Sequence, residues 1–188
     1  MMTRRLLFVP LVSGLMLFAQ IAIAQQRDHL TPQEVDLVKE AQLLDKRIDV
    51  FIKAADRRLL VLKGGAPTAD AANAKQLKKD SEKWGELPTG SRAELVSDIA
   101  RILDEAITNI DDVSSRDERN PLIAKSLRKL GSAVNSIMEQ LKPLSTEAKS
   151  DAEVASFEAL NEDAQSILEA VSKLPAEVEK KTKAKNNK

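Results

Sequence analysis

Apolar positions recur at helical spacing along most of this chain. The most regular run is Ile123, Leu127, Leu130, Val134, Ile137, Leu141 and Leu144, separated by 4, 3, 4, 3, 4 and 3 residues. Side chains so spaced lie over one another on a single helical face, and such a face demands a partner. A helix is therefore expected from Pro121 to about Lys142, capped by Asn120, with Pro143 ending or kinking it.

Three further ladders can supply the partners. Leu37, Ala41, Leu44, Ile48, Phe51, Ala55, Leu59 and Leu62 predict one helix over Pro32–Lys63, about 48 Å long if straight. Thr31-Pro32-Gln33-Glu34 opens it with a capping box, and Gly64-Gly65 followed by Pro67 closes it. Ser91 and Glu94 form a second box before a broad face of Leu95, Ile99, Ile102, Ala106 and Val113. Val96, Leu103, Ile107 and Ile110 widen that face, as burial against more than one neighbour requires. The last ladder, Val154, Phe157, Leu160, Ala164, Leu168, Val171 and Leu174, stops at Pro175.

Between residues 64 and 90 the regularity fails. Ala69–Lys83 reads as a short crossover helix, after which Gly85, Pro88 and Gly90 mark turns. No segment of comparable length alternates as a strand would. The expected fold is all-α: a compact antiparallel helical bundle with four long helices and a short crossover helix. The short connections on either side of the 121–142 helix predict that the helices they join are antiparallel neighbours. Charge agrees: four bases and one acid over 122–142 stand between six acids and two bases over 92–113 and seven acids and two bases over 145–174. Complementary faces help select neighbours, although each surface pair contributes little.

The N-terminus changes the picture from fold to location. Arg4 and Arg5 precede an apolar run from Leu6, and Ala22-Ile23-Ala24 supplies small residues around a cleavage point. These features together read as a cleavable signal peptide over 1–24, giving a periplasmic or secreted product. A single helical-bundle domain is expected over 25–175. Residues 176–188 carry five lysines, two glutamates and almost no apolar side chains, so a disordered lysine-rich tail is expected there. No integral membrane segment is expected after signal cleavage.

Composition narrows the chemistry. The 188-residue chain has no cysteine, one tryptophan and one histidine, His29. Disulfides, thiolate metal sites and multi-histidine zinc sites within one chain are excluded. Asn109, Asp111, Asp112, Asp117 and Glu118 gather oxygen ligands suited to a hard cation, but without the spacing of a calcium loop and with Arg116 and Arg119 among them. The acids Glu147, Asp151, Glu158, Glu162 and Glu169 have no histidine partners at helical spacing. His29 is expected in a flexible segment ahead of the first helix. No catalytic order of serine, histidine and acid carries a supporting motif. No catalytic residue, metal site or cofactor is therefore expected, and the chain reads as non-enzymatic.

Contact residues are the remaining candidates. Trp84, alone at the break between helices, is expected either to anchor one end of the core or to border a ligand or partner surface. Lys180, Lys181, Lys183 and Lys185 could meet an anionic envelope surface. Nucleic acid is not expected, because the tail lacks aromatic residues for base stacking. Leu30-Thr31-Pro32-Gln33-Glu34 resembles the LTxxQ element of small helical periplasmic stress proteins over that one segment. Glu34 stands where the element has Gln, and helix capping accounts for the segment by itself. The functional expectation is an extracytoplasmic helical protein for protein interaction or envelope support. The alternative is a carrier of a small apolar ligand in the bundle interior or at the Trp84-containing crossover.

Overall fold

Both expected capping boxes form. Thr31 Oγ1 accepts from the Glu34 amide while Glu34 Oε2 accepts from the Thr31 amide at 2.9 Å, and Ser91 with Glu94 repeats the exchange. A third box, Ser150 with Glu153, starts the last helix. The computed structural model describes residues 28–65 and 81–175. The expected signal peptide, most of the crossover helix and the lysine tail lie outside the described residues.

Five helices follow among the described residues: α1 Pro32–Glu40, α2 Leu44–Leu62, α3 Arg92–Arg116, α4 Pro121–Thr146 and α5 Asp151–Ser172. A helical turn at 81–84 precedes α3, and no strand occurs among the described residues. The molecule is an all-α helical bundle. Its core is one cluster drawn from α2, α3, α4 and α5, including Ile48, Phe51, Ile102, Leu103, Leu130, Val134, Leu160 and Ile167. Fully burying each such large side chain stabilises the fold by about 1.5–3 kcal/mol.

Two helix boundaries differ from expectation. The single helix over Pro32–Lys63 is divided at Ala41-Gln42-Leu43, where Ala41 has ψ 88° and Leu43 has ψ 135°. Neither glycine nor proline causes this break. Arg47 reaches back to donate to the Ala41 carbonyl at 3.1 Å and donates to Asn109 of α3 at the same distance. Pro143 does not end α4, which continues to Thr146. Proline in a final turn removes only one amide bond. The hydroxyls of Ser145 and Thr146 donate to the carbonyls of Lys142 and Pro143, satisfying terminal acceptors.

Polar pairs between helices show their directions. Lys125 and Lys129 of α4 reach Asp45 and Asp49 of α2, and Lys63 reaches Gln140, so these two helices ascend together. Arg47 meets Asn109 while Arg58 lies 3.9 Å from Asp98, so α2 and α3 run oppositely. Each of α3 and α4 packs mainly on α2 and α5, and the two touch each other less. The connected pair α3 and α4 is therefore not the close antiparallel pair that its short loop suggested. The basic face of α4 instead meets acids on α2.

Candidate functional site

The least expected local feature is a charged centre beneath α1. Glu34 is that helix's only buried residue, with relative exposure of 0%. Its carboxylate divides its work: one oxygen closes the capping box, and the other accepts from Arg57 at 3.1 Å and Arg58 at 2.6 Å. Both guanidinium groups are themselves buried. A charge removed from water must have partners, and these three groups supply them to one another.

Arg57 also shapes the crossover. It donates to the carbonyls of Trp84, Gly85 and Glu86, three successive acceptors. The Trp84 ring faces the same guanidinium at 5.8 Å, with Lys83 at 6.0 Å on the ring as well. Gly85 permits the turn with φ +69°, and any Cβ there would stand 3.0 Å from the Gln33 side chain. Sequence, packing and charge thus converge on one immobilised segment. Trp84 is buried, outside the main apolar cluster, with its ring beside the Arg57 guanidinium.

Arg58 ties in the chain ahead of α1. It donates to the carbonyls of Ala54 and His29, and its Nε lies 3.9 Å from the buried Asp98. His29 Nε2 stands 2.7 Å from Glu105 Oε2. The flexible setting expected for His29 is therefore corrected: this residue is partly buried and joined to α3.

Above this centre lies an open cleft of about 1020 Å³. Leu30, Val35, Leu87 and Pro88 contribute apolar surface, while Asp28, Asp36 and Glu86 outnumber Lys39 among the polar residues around it. Arg58 also borders the cleft, its charge faced by Glu34, which Arg57 shares, and by Asp98 at 3.9 Å; Asp36 pairs with Lys39 at 3.8 Å, so Asp28 and Glu86 carry the acidic excess. Leu87 is exposed, as few large apolar residues here are. Such a surface can hold an apolar side chain and attract a neighbouring positive charge.

The remaining sequence candidates are distributed elsewhere. Trp84 adjoins the cleft through Gly85 and Glu86 without lining it, and Lys180, Lys181, Lys183 and Lys185 lie outside the described residues. At the end of α3, Asn109 is engaged by Arg47, Asp112 pairs with Arg116, and Asp117 accepts from the Arg119 amide. Among the described residues, no group of three or more acids or histidines is arranged to hold a metal ion. Along α5 and its approach, Glu147 faces Arg92 and Glu169 pairs with Lys173.

Two charge environments outside the cleft are also perturbed. The hydrogen bond from Lys125 holds the Asp45 carboxyl below the ordinary aspartate value, and that bond raises Lys125. Burial pushes the Asp163 carboxyl up, with Asp104 and Glu162 adding like-charge repulsion.

The central arginines were missed in the sequence because the capping box alone accounted for Glu34. A signal was present: Arg58 follows Ala55 by three residues on the inward ladder of α2, where an apolar side chain would continue the pattern. No protein-family model matches the chain, and no curated protein or solved structure matches it. Among the described residues, no helix is long and apolar enough to cross a membrane.

Proposed function

We propose that this chain is an exported, non-enzymatic binding protein that receives an apolar, basic segment of another extracytoplasmic protein. The carrying observation is the cleft between α1 and residues 85–89, with its Leu30, Val35, Leu87 and Pro88 surface and acidic surroundings. Arg57 supports that reading by fixing Trp84, Gly85 and Glu86 before a partner arrives. Preorganisation reduces the ordering cost of association. Export rests on the signal-like N-terminus, and the non-enzymatic assignment rests on the absence of a recognisable catalytic motif in the sequence.

A small apolar ligand is the second reading, because the same cleft borders the Trp84-containing crossover. Its volume reaches the upper end of ordinary small-molecule sites, and its acidic rim favours a charged polypeptide. A photo-crosslinking side chain at Leu87 tests the choice in native envelope material, with exposed Ser132 as control. A discrete protein adduct from position 87, absent from position 132, is the expected result. Equal labelling at both positions, or none at 87, overturns the protein-partner reading; native mass spectrometry would then report a retained small molecule. N-terminal sequencing of the exported product checks cleavage after Ala24.

A further inference from the structure

We propose that residues 28–40 form an exchangeable arm, which a second copy of this chain can receive in the same seat. The argument begins at Ala41-Gln42-Leu43. All three residues are strong helix formers, and the apolar ladder continues through them from Leu37 to Leu44 and Ile48. The chain nevertheless leaves the helix here, with Ala41 at ψ 88° and Leu43 at ψ 135°. Contacts made elsewhere by the arm hold the bend.

Those contacts are few and concentrated. The helix of the arm packs on α2, buries Glu34 against Arg57 and Arg58, and follows Leu30, which enters the core cluster. His29 adds its contact with Glu105. None requires that arm and seat belong to the same molecule. Rotating the backbone at 41–43 into the helical region joins α1 to α2 and carries the arm away from its own bundle. Two straightened copies then restore the arm–seat contacts reciprocally, while each exchanges the bond from Arg47 to the Ala41 carbonyl for helical bonds across 41–43. This closed exchange has two-fold symmetry and leaves no unmatched seat.

The hinge and the ion pair have separable roles. Arm and seat form the same contacts before and after exchange, so Glu34 governs how fast the arm opens. The 41–43 backbone governs which form is preferred. The arm is also one wall of the cleft, and after exchange it rebuilds that wall against residues 85–89 of the other copy.

The test uses residues 25–188, refolded at low and high protein concentration and followed by sedimentation velocity. Wild type is expected to yield a slowly exchanging dimer whose share rises with concentration. Gln42→Pro should reduce that share at least tenfold while retaining monomer helicity by circular dichroism, because proline opposes a continuous helix. Glu34→Gln retains a residue suited to the capping box but removes its charge. It should accelerate exchange between differently labelled dimers at least tenfold without a comparable change in dimer share. An exclusively monomeric wild type after concentrated refolding overturns the proposal, as does a dimer unaffected by Gln42→Pro. If Gln42→Pro loses helicity, the Glu34→Gln exchange rate decides: an unchanged rate overturns arm exchange.

Discussion

Gly131 of α4 leaves the space that Val171 of α5 enters: a Cβ at position 131 would stand 2.6 Å from Val171 Cγ2. Alanine is intrinsically favoured over glycine in a helix by about 1 kcal/mol, whereas forced overpacking costs about 1–3 kcal/mol. Val171 is β-branched and resists rotation. Gly131→Ala should therefore lower unfolding free energy by about 1 kcal/mol. In a Val171→Ala background the same substitution should stabilise, a reversal measurable by urea denaturation.

The two tasks of Glu34 can be separated by substitution. Glu34→Gln preserves capping capacity but removes the carboxylate that two buried guanidinium groups share. A loss of about 3–5 kcal/mol is expected from breaking a buried pair on one side. Glu34→Ala should cost about 1 kcal/mol more, because it also removes the reciprocal cap. Equilibrium denaturation of the two variants gives both differences; identical losses would show that the cap contributes nothing measurable.

Asp45 and Lys125 predict a pH window. The carboxyl is depressed in the folded state, so its contribution is present above the ordinary aspartate range and lost as pH falls through the lower folded value. The lysine is raised, so its contribution is present below the ordinary lysine range and lost as pH rises through the higher folded value. Asp45→Asn should weaken the protein most between these limits. Its melting temperature should approach that of the parent only as pH falls below the ordinary aspartate range and through the depressed folded value.

Asp163 has the opposite sign. Burial raises its carboxyl, so the folded state binds a proton more tightly and this site's electrostatic penalty diminishes as pH falls. Asp163→Asn should raise the melting temperature near pH 7. That advantage should disappear below about pH 4, where the native carboxyl is protonated. Paired melts at those two pH values check the sign directly.

Capping and core formation were legible because local chemistry largely determines them. Thr31 with Glu34, Ser91 with Glu94 and the ladder from Ile123 each carried enough information to place a helix or its exposed start. The bend at 41–43 was not legible: Ala, Gln and Leu all favour helix, and Arg47 with the Glu34 pairings supplies the non-local contacts. Likewise, the short loop after α3 identified sequential connection but not adjacency. The partners of Lys125 and Lys129 are Asp45 and Asp49, some 80 residues away in sequence.

Of the candidate site, sequence singled out Trp84 and the segment beginning at Leu30. It did not reveal that one buried guanidinium joins them. That information appears only when Glu34, Arg57 and the carbonyls of Trp84–Glu86 share one position in space.

The placement of Trp84 has a spectroscopic consequence. This sole indole sits over a guanidinium rather than within the main apolar cluster. Its near-ultraviolet signal is therefore a local reporter of how the crossover seats on α2, and an Arg57→Leu substitution should change that signal even while far-ultraviolet ellipticity persists. The single indole lets residues 84–86 be watched separately from the melting of the helices.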